Sequence, residues 1–321
     1  MVMNVPEDIG RGIVTLTVNP SIDISTSVPH IGPFHKLRCA EPKRDPGGGG
    51  INVARVIVRF GAAATAIFPA GGSTGELLRQ LVMQAGVEIV SVPICNDTRE
   101  DFTVTENDSG RQFRFVLPGP ALMAHECQAL LDALENHKPA PSYIVASGSV
   151  PAGVPANFFT EVARIGRSKG AKIVLDSSGP AFAEALSQPL YLIKPNMREF
   201  GELMKRPLES ENACLNAARH LIRERGVTII ALTMGEGGAM VVTRNRAWRG
   251  RAPKLQPVST VGAGDSFLGS MLWRLNQNDD LEEALRYGIA GGTAALLSPG
   301  TELCRRADVD RLLREIEISE L

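Results

Sequence analysis

Short apolar runs alternate with amphipathic stretches over most of the chain, and this rhythm strongly limits the folds that it can adopt. Runs without internal polar alternation occur at residues 13–18, 65–69, 143–146, 172–175, 191–193 and 227–232. Such runs are typical of strands that are buried on both faces. The stretches between them carry apolar residues at helical spacing. The pattern favours an α/β fold with a mostly parallel sheet that is covered by helices on both faces.

Polar residues follow the ends of three predicted strands. Asn196 follows the run at 191–193, Thr233 follows the run at 227–232, and Asp265 follows an extended run that ends at Val261. Ligands of open parallel sheets bind beyond the carboxyl ends of the strands. We therefore expect these three residues to lie on one edge of the sheet.

Two glycine clusters open predicted helices. The first is the run of four glycines at residues 47–50, and the second is 262–265, which ends with Asp265 in the first turn of a helix. A glycine turn before a helix exposes N–H groups at the positive end of the helix dipole, where anions bind. Either cluster alone has a plainer explanation, because glycine turns also pack strands against helices and an aspartate there can simply offset the dipole.

The second cluster adds a carboxylate to an anion-binding turn. Phosphoryl transfer to a hydroxyl group requires this combination, because a base accepts the proton while N–H groups stabilise charge on the phosphoryl group. Asp265 is the candidate base, and the backbone of Gly262, Ala263 and Gly264 is the candidate anion hole. An aspartate of ordinary pKa, near 4, is a weak base, but it suffices because the hydroxyl loses its proton as the phosphoryl group arrives.

Two segments interrupt the alternation of strands and helices. Residues 24–46 contain short extended pieces between prolines, and residues 100–118 predict a hairpin. Within the hairpin, Phe113, Phe115 and Leu117 alternate with more polar positions, so one face is apolar. This small sheet is either a simple packing flap or a lid over a site.

Four motifs in order resemble the PfkB branch of the ribokinase-like sugar kinases. They are residues 15–23 (TLTVNPSID), 47–55 (GGGGINVAR), 194–199 (KPNMRE) and 260–266 (TVGAGDS), and the resemblance runs from about residue 13 to about 305. It implies a three-layer sandwich with a mostly parallel central sheet and a small β-sheet lid. The large domain would comprise residues 12–23, 48–97 and 120–321, the lid 24–47 and 98–119, and an N-terminal extension 1–11. It also implies a homodimer that forms through the lids.

The resemblance assigns the sugar side of the site. Asp23 and Asn52 would read sugar hydroxyls, and Gly48 and Gly49 would let backbone N–H groups approach the same ligand. Buried carboxylate and amide groups of this kind need such partners.

A phosphate on the substrate would need cations. Lys36, Arg38 and Arg99 fall in or beside the lid segments, where they would form a clamp; the alternative is ordinary solvated surface charge.

The resemblance also assigns the nucleotide side. Asn196 and Glu199 would organise Mg²⁺ on the ATP phosphates, through water because magnesium keeps several waters. Lys194 and Gly264 would reach the phosphates. Thr233, Gly235 and Gly238 would contact phosphates and ribose, although glycine turns there also suit a plain hairpin. A monovalent cation is a further possible cofactor.

Composition excludes several classes of protein. A net charge of −1 over 321 residues gives no electrostatic footprint for nucleic acid or an anionic membrane. No apolar run approaches the roughly 20 residues of a membrane helix, and the N-terminus lacks the features of a secretory signal. Five scattered cysteines without metal spacing indicate reduced thiols, so we expect a cytoplasmic protein.

The substrate prediction depends on the branch of the family. The all-glycine run resembles the second type of 6-phosphofructokinase, whereas tagatose-6-phosphate kinases and 1-phosphofructokinases usually have lysine where this chain has Gly49. The implied reaction moves the γ-phosphoryl group of ATP to O1 of fructose 6-phosphate, with those two kinases as alternatives. A non-catalytic sugar-phosphate sensor is a remote alternative. A dinucleotide oxidoreductase is excluded because no G-x-G-x-x-G follows the first strand.

Overall fold

A computed structural model describes residues 12–278 and 280–321. The extension predicted at residues 1–11 lies outside the described residues. The strands, numbered in chain order, are β1 (Ile13–Leu16), β2 (Ser21–Val28), β3 (Lys43–Gly47), β4 (Ala64–Ala70), β5 (Glu88–Pro93), β6 (Arg99–Glu106), β7 (Gln112–Phe115), β8 (Tyr143–Ser147), β9 (Lys172–Asp176), β10 (Leu190–Ile193), β11 (Val227–Thr233), β12 (Ala239–Val242), β13 (Ala247–Gly250) and β14 (Ile318–Glu320). The helices are α1 (Gly49–Arg59), α2 (Gly72–Gln84), α3 (Ala124–Asn136), α4 (Phe158–Ser168), α5 (Gly179–Ala185), α6 (Met197–Leu203), α7 (Glu211–Arg225), α8 (Ala263–Leu275), α9 (Leu281–Ala295) and α10 (Arg306–Leu312).

The larger sheet has ten strands in the order β14-β13-β12-β11-β10-β9-β8-β1-β4-β5. The strands from β11 to β5 run parallel, and β12, β13 and β14 add an antiparallel edge. Strands β1, β4 and β5 lie on one side of the sheet and β8 to β14 on the other, and the pair β1–β8 joins the two sides. The predicted mostly parallel sheet is therefore confirmed.

Separate apolar layers cover the two faces of this sheet. One layer includes buried residues of α1, α8 and α9, and the other includes buried residues of α3, α4 and α7. Buried strands such as β8 supply side chains to both layers in alternation, which is why their sequences are apolar throughout. This is the three-layer sandwich that the sequence predicts.

The smaller sheet combines two segments that are distant in the sequence. Its order is β3-β2-β6-β7, with β2 parallel to β6 and the outer pairs antiparallel. It begins at Ser21, slightly earlier than the predicted lid, so Asp23 lies on a lid strand rather than on the opening strand β1. The division of the chain into domains stays a prediction.

Helices α1 and α8 pack closely together. A side chain at Gly269 of α8 would lie 2.7 Å from Cβ of Val56 on α1, so glycine allows the two helices to approach. Their N-termini therefore lie side by side, and each carries one of the glycine clusters. One expectation is wrong here: residues 251–262 form a loop rather than a strand, so α8 and Asp265 do not follow a strand end.

Among the described residues, no helix combines the length and apolar character that crossing a membrane would take. All five cysteines are free, with Cys39 and Cys95 exposed and the others buried.

Candidate active site

A polar cavity of about 270 Å³ lies between the lid sheet and the N-termini of α1 and α8. Its lining residues are Ser21, Asp23, Gly48, Gly49, Asn52, Arg99, Asp101, Arg114, Gly148, Val261, Gly262, Gly264 and Asp265. Pockets that bind small molecules commonly have volumes of about 300 Å³ or more, so this cavity is suited to a small polar ligand. The structure thus brings together both glycine clusters, both predicted aspartates, Asn52 and Arg99.

Asp265 lies in the first turn of α8, which begins after Gly262 in the left-handed conformation (φ 73°). The first N–H groups of a helix have no acceptor within the helix, so those of Ala263 and Gly264 are available to an anion. Nδ2 of Asn52 donates to Oδ2 of Asp265 at 2.9 Å. A carboxylate oxygen and an anion-binding turn therefore lie in the same few residues.

The environment of Asp265 makes it a stronger base than an ordinary aspartate. Burial and the nearby Asp176 carboxylate raise its pKa to about 6, although the bond from Asn52 and the charge of Lys194 act in the opposite direction. The sequence-based assumption of a pKa near 4 is therefore wrong. A base with a pKa closer to neutral pH is more effective in proton transfer.

A buried ion pair lies beside Asp265. Nζ of Lys194 is 3.0 Å from Oδ1 of Asp176, and the second oxygen of Asp176 accepts a hydrogen bond from Ser147 at 3.2 Å. Burial alone would lower the pKa of Lys194, but the Asp176 carboxylate outweighs this and raises it. Lys194 is therefore a fixed positive charge next to the start of α8, where Gly264 also lies.

Asp23 faces the cavity from the lid. The hydroxyl of Ser21 donates to its Oδ1 at 2.6 Å. Burial raises the pKa of Asp23 to about 6; the Asp101 carboxylate also raises it, whereas the bond from Ser21 and the charges of Arg99 and Arg114 lower it. Its carboxylate is placed to accept hydroxyl groups of a ligand in the cavity.

Two arginines supply the positive charge of the cavity. Arg99 contacts Asp101 at 2.8 Å and also donates to the carbonyls of Leu117 and Asn19. Arg114 lines the cavity from β7, and its guanidinium group makes no hydrogen bond or ion pair within the part of the chain that the structure describes. An unengaged guanidinium in a polar cavity is suited to a phosphate group.

Lys36 and Arg38 do not line this cavity. Both are exposed on the loop of residues 29–42 that joins β2 to β3. Their predicted part in a phosphate clamp stays a prediction.

Gly48 and Gly49 line the cavity where β3 turns into α1. Gly48 has a φ of 110°, which residues with side chains rarely adopt. A Cβ at Gly49 would lie 2.3 Å from Oγ of Ser147 and 2.9 Å from the backbone N of Gly148. A glycine is needed at both positions, for conformation at Gly48 and for space at Gly49.

Asn196 and Glu199 hold each other at the start of α6. The backbone N–H of Asn196 donates to Oε2 of Glu199, and that of Glu199 donates to Oδ1 of Asn196, both at 2.9 Å. Among residues 12–278 and 280–321, no group of three or more His, Cys, Asp or Glu side chains is arranged to hold a metal. The side chains of Asn196 and Glu199 fit an ion that keeps its own waters and is bound mainly to phosphates, as Mg²⁺ is.

The remaining predicted nucleotide residues lie at the neighbouring strand ends. Thr233 ends β11 and bridges to Asn196, with its N–H donating to the Pro195 carbonyl at 3.1 Å. Gly235 begins a short turn with a φ of 58°. Gly238 packs against β13, since a Cβ there would lie 2.3 Å from the Gly250 carbonyl oxygen. Gly238 also has a φ of 95°, so a glycine suits this turn between β11 and β12, and its contact with a nucleotide stays a prediction.

The sequence-based prediction missed Arg114, Asp101 and Asp176. Arg114 could have been found, because the alternation along the hairpin places it on the face opposite the apolar residues. Asp176 could also have been found, because it ends β9 and ligands bind beyond the carboxyl ends of parallel strands. Asp101 gave no such signal, because its place depends on the pairing of β2 with β6.

Comparison with known proteins identifies the family of the chain. The model of the pfkB family of carbohydrate kinases matches residues 18–308. An ATP-dependent 6-phosphofructokinase isozyme 2 of Mycobacterium tuberculosis (strain H37Rv) is 42% identical over 299 residues, 93% of this chain and 88% of the relative. The Escherichia coli K12 protein of the same name is 40% identical over 301 residues, 94% of this chain and 97% of the relative.

Solved structures give the same result. The crystal structure of Escherichia coli phosphofructokinase-2 in complex with potassium is 38% identical, with a TM-score of 0.91 over 95% of this chain and 99% of that one. A tetrameric inhibited form of the same enzyme has a TM-score of 0.89 at 38% identity over 95% and 99% of the two chains. A 1-phosphofructokinase of Borreliella burgdorferi is also related, at 31% identity over 310 residues, 96% of this chain and 99% of the relative. The chain belongs to the pfkB family of carbohydrate kinases.

Proposed function

We propose that the protein is an ATP-dependent 6-phosphofructokinase that transfers the γ-phosphoryl group of ATP to O1 of fructose 6-phosphate. The observation that carries the proposal is the position of Asp265. Its carboxylate lies at an anion-binding helix start and faces a polar cavity that also holds Asp23 and two arginines. A base, an anion hole and a cationic pocket are the groups that this reaction requires.

In the proposed step, Asp265 accepts the proton of the O1 hydroxyl group. The hydroxyl oxygen forms a bond to the γ-phosphorus, and the bond from that phosphorus to the bridging oxygen of ADP breaks, with the electron pair leaving on ADP. The N–H groups of Ala263 and Gly264 and the charge of Lys194 stabilise the transferred group. The raised pKa of Asp265, about 6, supports the role of base near neutral pH.

The sugar phosphate would be bound mainly by the lid. Asp23, with Asn52 and the backbone of Gly48 and Gly49, would contact the sugar hydroxyls. Arg99 and Arg114 would bind its phosphate, and Lys36 and Arg38 stay predicted contributors from the exposed loop.

The nucleotide would lie along the ends of β10 and β11. Lys194, Thr233 and Gly235 face this edge, with Gly238 and Gly264 adjoining it. Asn196 and Glu199 would hold Mg²⁺ through water. When bound, the ion would neutralise charge on the ATP phosphates. A monovalent cation stays a possible further cofactor.

The choice of sugar depends on Gly49. A lysine at this position would have to displace Ser147, so the space at Gly49 supports the all-glycine type of substrate site. Two relatives at 40–42% identity are named 6-phosphofructokinases, whereas the 1-phosphofructokinase relative is 31% identical. Fructose 1-phosphate and tagatose 6-phosphate are the alternatives.

Initial rates with MgATP test the proposal. We expect kcat/KM for fructose 6-phosphate to exceed that for tagatose 6-phosphate, fructose 1-phosphate and ribose. Asp265→Asn should lower kcat by about 10²–10⁴-fold, the usual contribution of a general base. A higher kcat/KM for another sugar would overturn the substrate assignment alone. An Asp265→Asn variant with most of its kcat would refute the mechanism, and binding without turnover in the unaltered protein would favour a sensor.

We also propose that the protein is a cytoplasmic homodimer joined through its lids. Phe115 is 54% exposed and Val116 is 59% exposed on the edge of the lid sheet, and Phe34 on the 29–42 loop is fully exposed. Contiguous exposed apolar groups commonly mark an interface. Light scattering should give twice the chain mass, and Phe115→Asp should give monomers. A tetramer at every accessible concentration would contradict the dimer.

A further inference from the structure

Arg55 is a buried residue of α1 to which the proposed reaction gives no role. It is 3% exposed, two turns from the start of the helix. Burying a guanidinium group is costly unless its contacts compensate. Burial lowers the pKa of Arg55 to about 10, and the Asp45 carboxylate opposes this, so the group stays charged at neutral pH. A permanent charge at this depth calls for an explanation.

The contacts of Arg55 join three elements. Its Nη1 donates to the carbonyl of Pro46 at 2.8 Å and to Oδ1 of Asn52 at 3.0 Å. Its Nη2 is 3.5 Å from Oδ1 of Asp45 on the lid strand β3. The second oxygen of Asp45 accepts from the hydroxyl of Thr301 at 2.9 Å. Arg55 therefore links the lid strand to Asn52.

The bonds to Arg55 and Asp265 together fix the orientation of the Asn52 amide. A guanidinium group only donates hydrogen bonds, so the amide oxygen must face it and the amide NH₂ must face away. That NH₂ donates to Oδ2 of Asp265 at 2.9 Å. Oδ1 of Asp265 accepts no hydrogen bond among the described residues, so it is the oxygen we assign to the proton of a substrate hydroxyl. Without Arg55, the amide oxygen of Asn52 would lose its buried donor, and only the bond to Asp265 would hold the side chain in place.

We propose that Arg55 is a positioning residue that orients Asp265 through Asn52 and couples this orientation to the lid strand β3. The inference rests on the proposed function, because it concerns the base of that reaction. Since β3 leads directly into Gly48, the position of this lid strand and the direction of the base would depend on the same guanidinium group.

The first test is Arg55→Met with fructose 6-phosphate and MgATP as substrates. We expect kcat to fall by about 10²-fold, since a misplacement of about 1 Å costs that much, while KM for MgATP stays at its original value. Arg55→Lys restores one donor and should recover part of kcat. The matched control is Arg59→Met on the same helix, because Arg59 donates to the carbonyls of Leu303 and Cys304 and does not contact Asn52.

A double-mutant cycle separates positioning from simple packing. If Arg55 acts through Asn52, then Arg55→Met should lower kcat by less than about twofold in an Asn52→Ala background. The inference is wrong if the losses of kcat caused by Arg55→Met and by Asn52→Ala multiply in full in the double variant. It is also wrong if Arg55→Met has the same kcat as the control Arg59→Met. Should Arg55→Met fail to fold, Arg55→Met with Asp45→Asn removes both buried charges and permits the same comparison.

The two proposals fail in different ways. Absence of sugar-phosphate kinase activity in the unaltered protein, or an active Asp265→Asn variant, would refute the proposed function. An active protein with an inactive Asp265→Asn variant and a fully active Arg55→Met variant would refute only the role of Arg55.

Discussion

Two carboxyl groups in one small cavity, those of Asp23 and Asp265, both have a pKa raised to about 6. Burial is the largest cause in each case, and a second carboxylate adds to it, Asp101 beside Asp23 and Asp176 beside Asp265. Perturbed titration of this kind is a mark of functional sites. It follows that the charge of the cavity changes just below neutral pH.

The first prediction concerns the pH dependence of turnover. Asp265 must be unprotonated to act as a base, so kcat at saturating substrates should fall about tenfold per pH unit below its pKa. The bound phosphates repel the carboxylate, so the fall should begin at or above pH 6. The Asp23→Asn variant should show the same fall of kcat at low pH. A kcat that is constant from pH 8 to pH 5 would contradict the assignment.

The second prediction concerns Arg114. Its guanidinium group is unengaged among the described residues, so it should bind the substrate phosphate directly. A hydrogen bond to a charged group contributes about 1.5–3 kcal/mol, so Arg114→Gln should raise KM for fructose 6-phosphate by about 10–10²-fold. Turnover of unphosphorylated fructose should not change. Arg111→Gln, on the exposed turn of the same hairpin, is the control and should leave KM unaltered.

Residue types at motif positions were predictable, but their partners were not. The sequence predicted that Asp265, Asn52 and Asp23 belong to one site, and all three line the cavity. The bond from Asn52 to Asp265 joins residues far apart in the chain, so it depends on the close packing of α1 and α8. The raised pKa of Asp265 depends likewise on burial, which a motif does not report.

At the scale of elements, the start of α1 is held by close contacts. Gly49 is the first residue of this helix and lies against the end of β8, where Ser147 and Gly148 leave no room for a methyl group. The neighbouring backbone N–H groups therefore face the cavity without a side chain in between.

The third prediction follows from this contact. Gly49→Ala should move the start of α1 away from β8 and lower kcat/KM for the sugar phosphate by about 10²-fold, the cost of a displacement of about 1 Å. Gly12→Ala is the control, because a Cβ at Gly12 would meet nothing within 4 Å. If the two variants had the same kcat/KM, β8 would accommodate the added methyl group without loss of activity, and the prediction would be wrong.

Elements of the central layers were more predictable than those of the lid. The strand predicted at 227–232 appears as β11, and the amphipathic stretch before it contains α7, because burial imposes the apolar periodicity of both. The strands β12, β13 and β14, which form the antiparallel edge of the large sheet, were not predicted. The extended run expected before Asp265 is a loop, because its residues pair with no strand.

At the scale of the whole molecule, the concentrated charge of the site should reduce stability. The pKa of Asp265 rises from 3.8 to about 6 on folding, so the folded state holds this proton more tightly than the unfolded state. Between these two values the free energy of unfolding must therefore fall as pH rises.

The fourth prediction is that Asp265→Asn is more stable than the original protein at pH 7. A shift of about two pKa units corresponds to at most about 3 kcal/mol, and the asparagine can still accept the bond from Asn52. In denaturant unfolding, Asp265→Asn should have a higher free energy of unfolding than the original protein at pH 7, and the same free energy of unfolding at pH 4. Asp310→Asn, an exposed ion-pair partner of Arg306, should change stability by less than about 0.5 kcal/mol. A less stable Asp265→Asn variant at pH 7 would contradict the linkage.

The order of strands also bears on how such a protein can diversify. Residues up to Arg114 supply the lid and the first glycine turn of the cavity, while the residues from Lys194 onwards supply the second glycine turn and Asp265. In the large sheet these two parts of the chain meet at the single pair β1–β8. A gene recombined once between α3 and β8 would thus exchange the lid and the first glycine turn, which we propose recognise the acceptor, and keep the second glycine turn and the proposed base, so the cavity of the product would combine surfaces from two parent proteins.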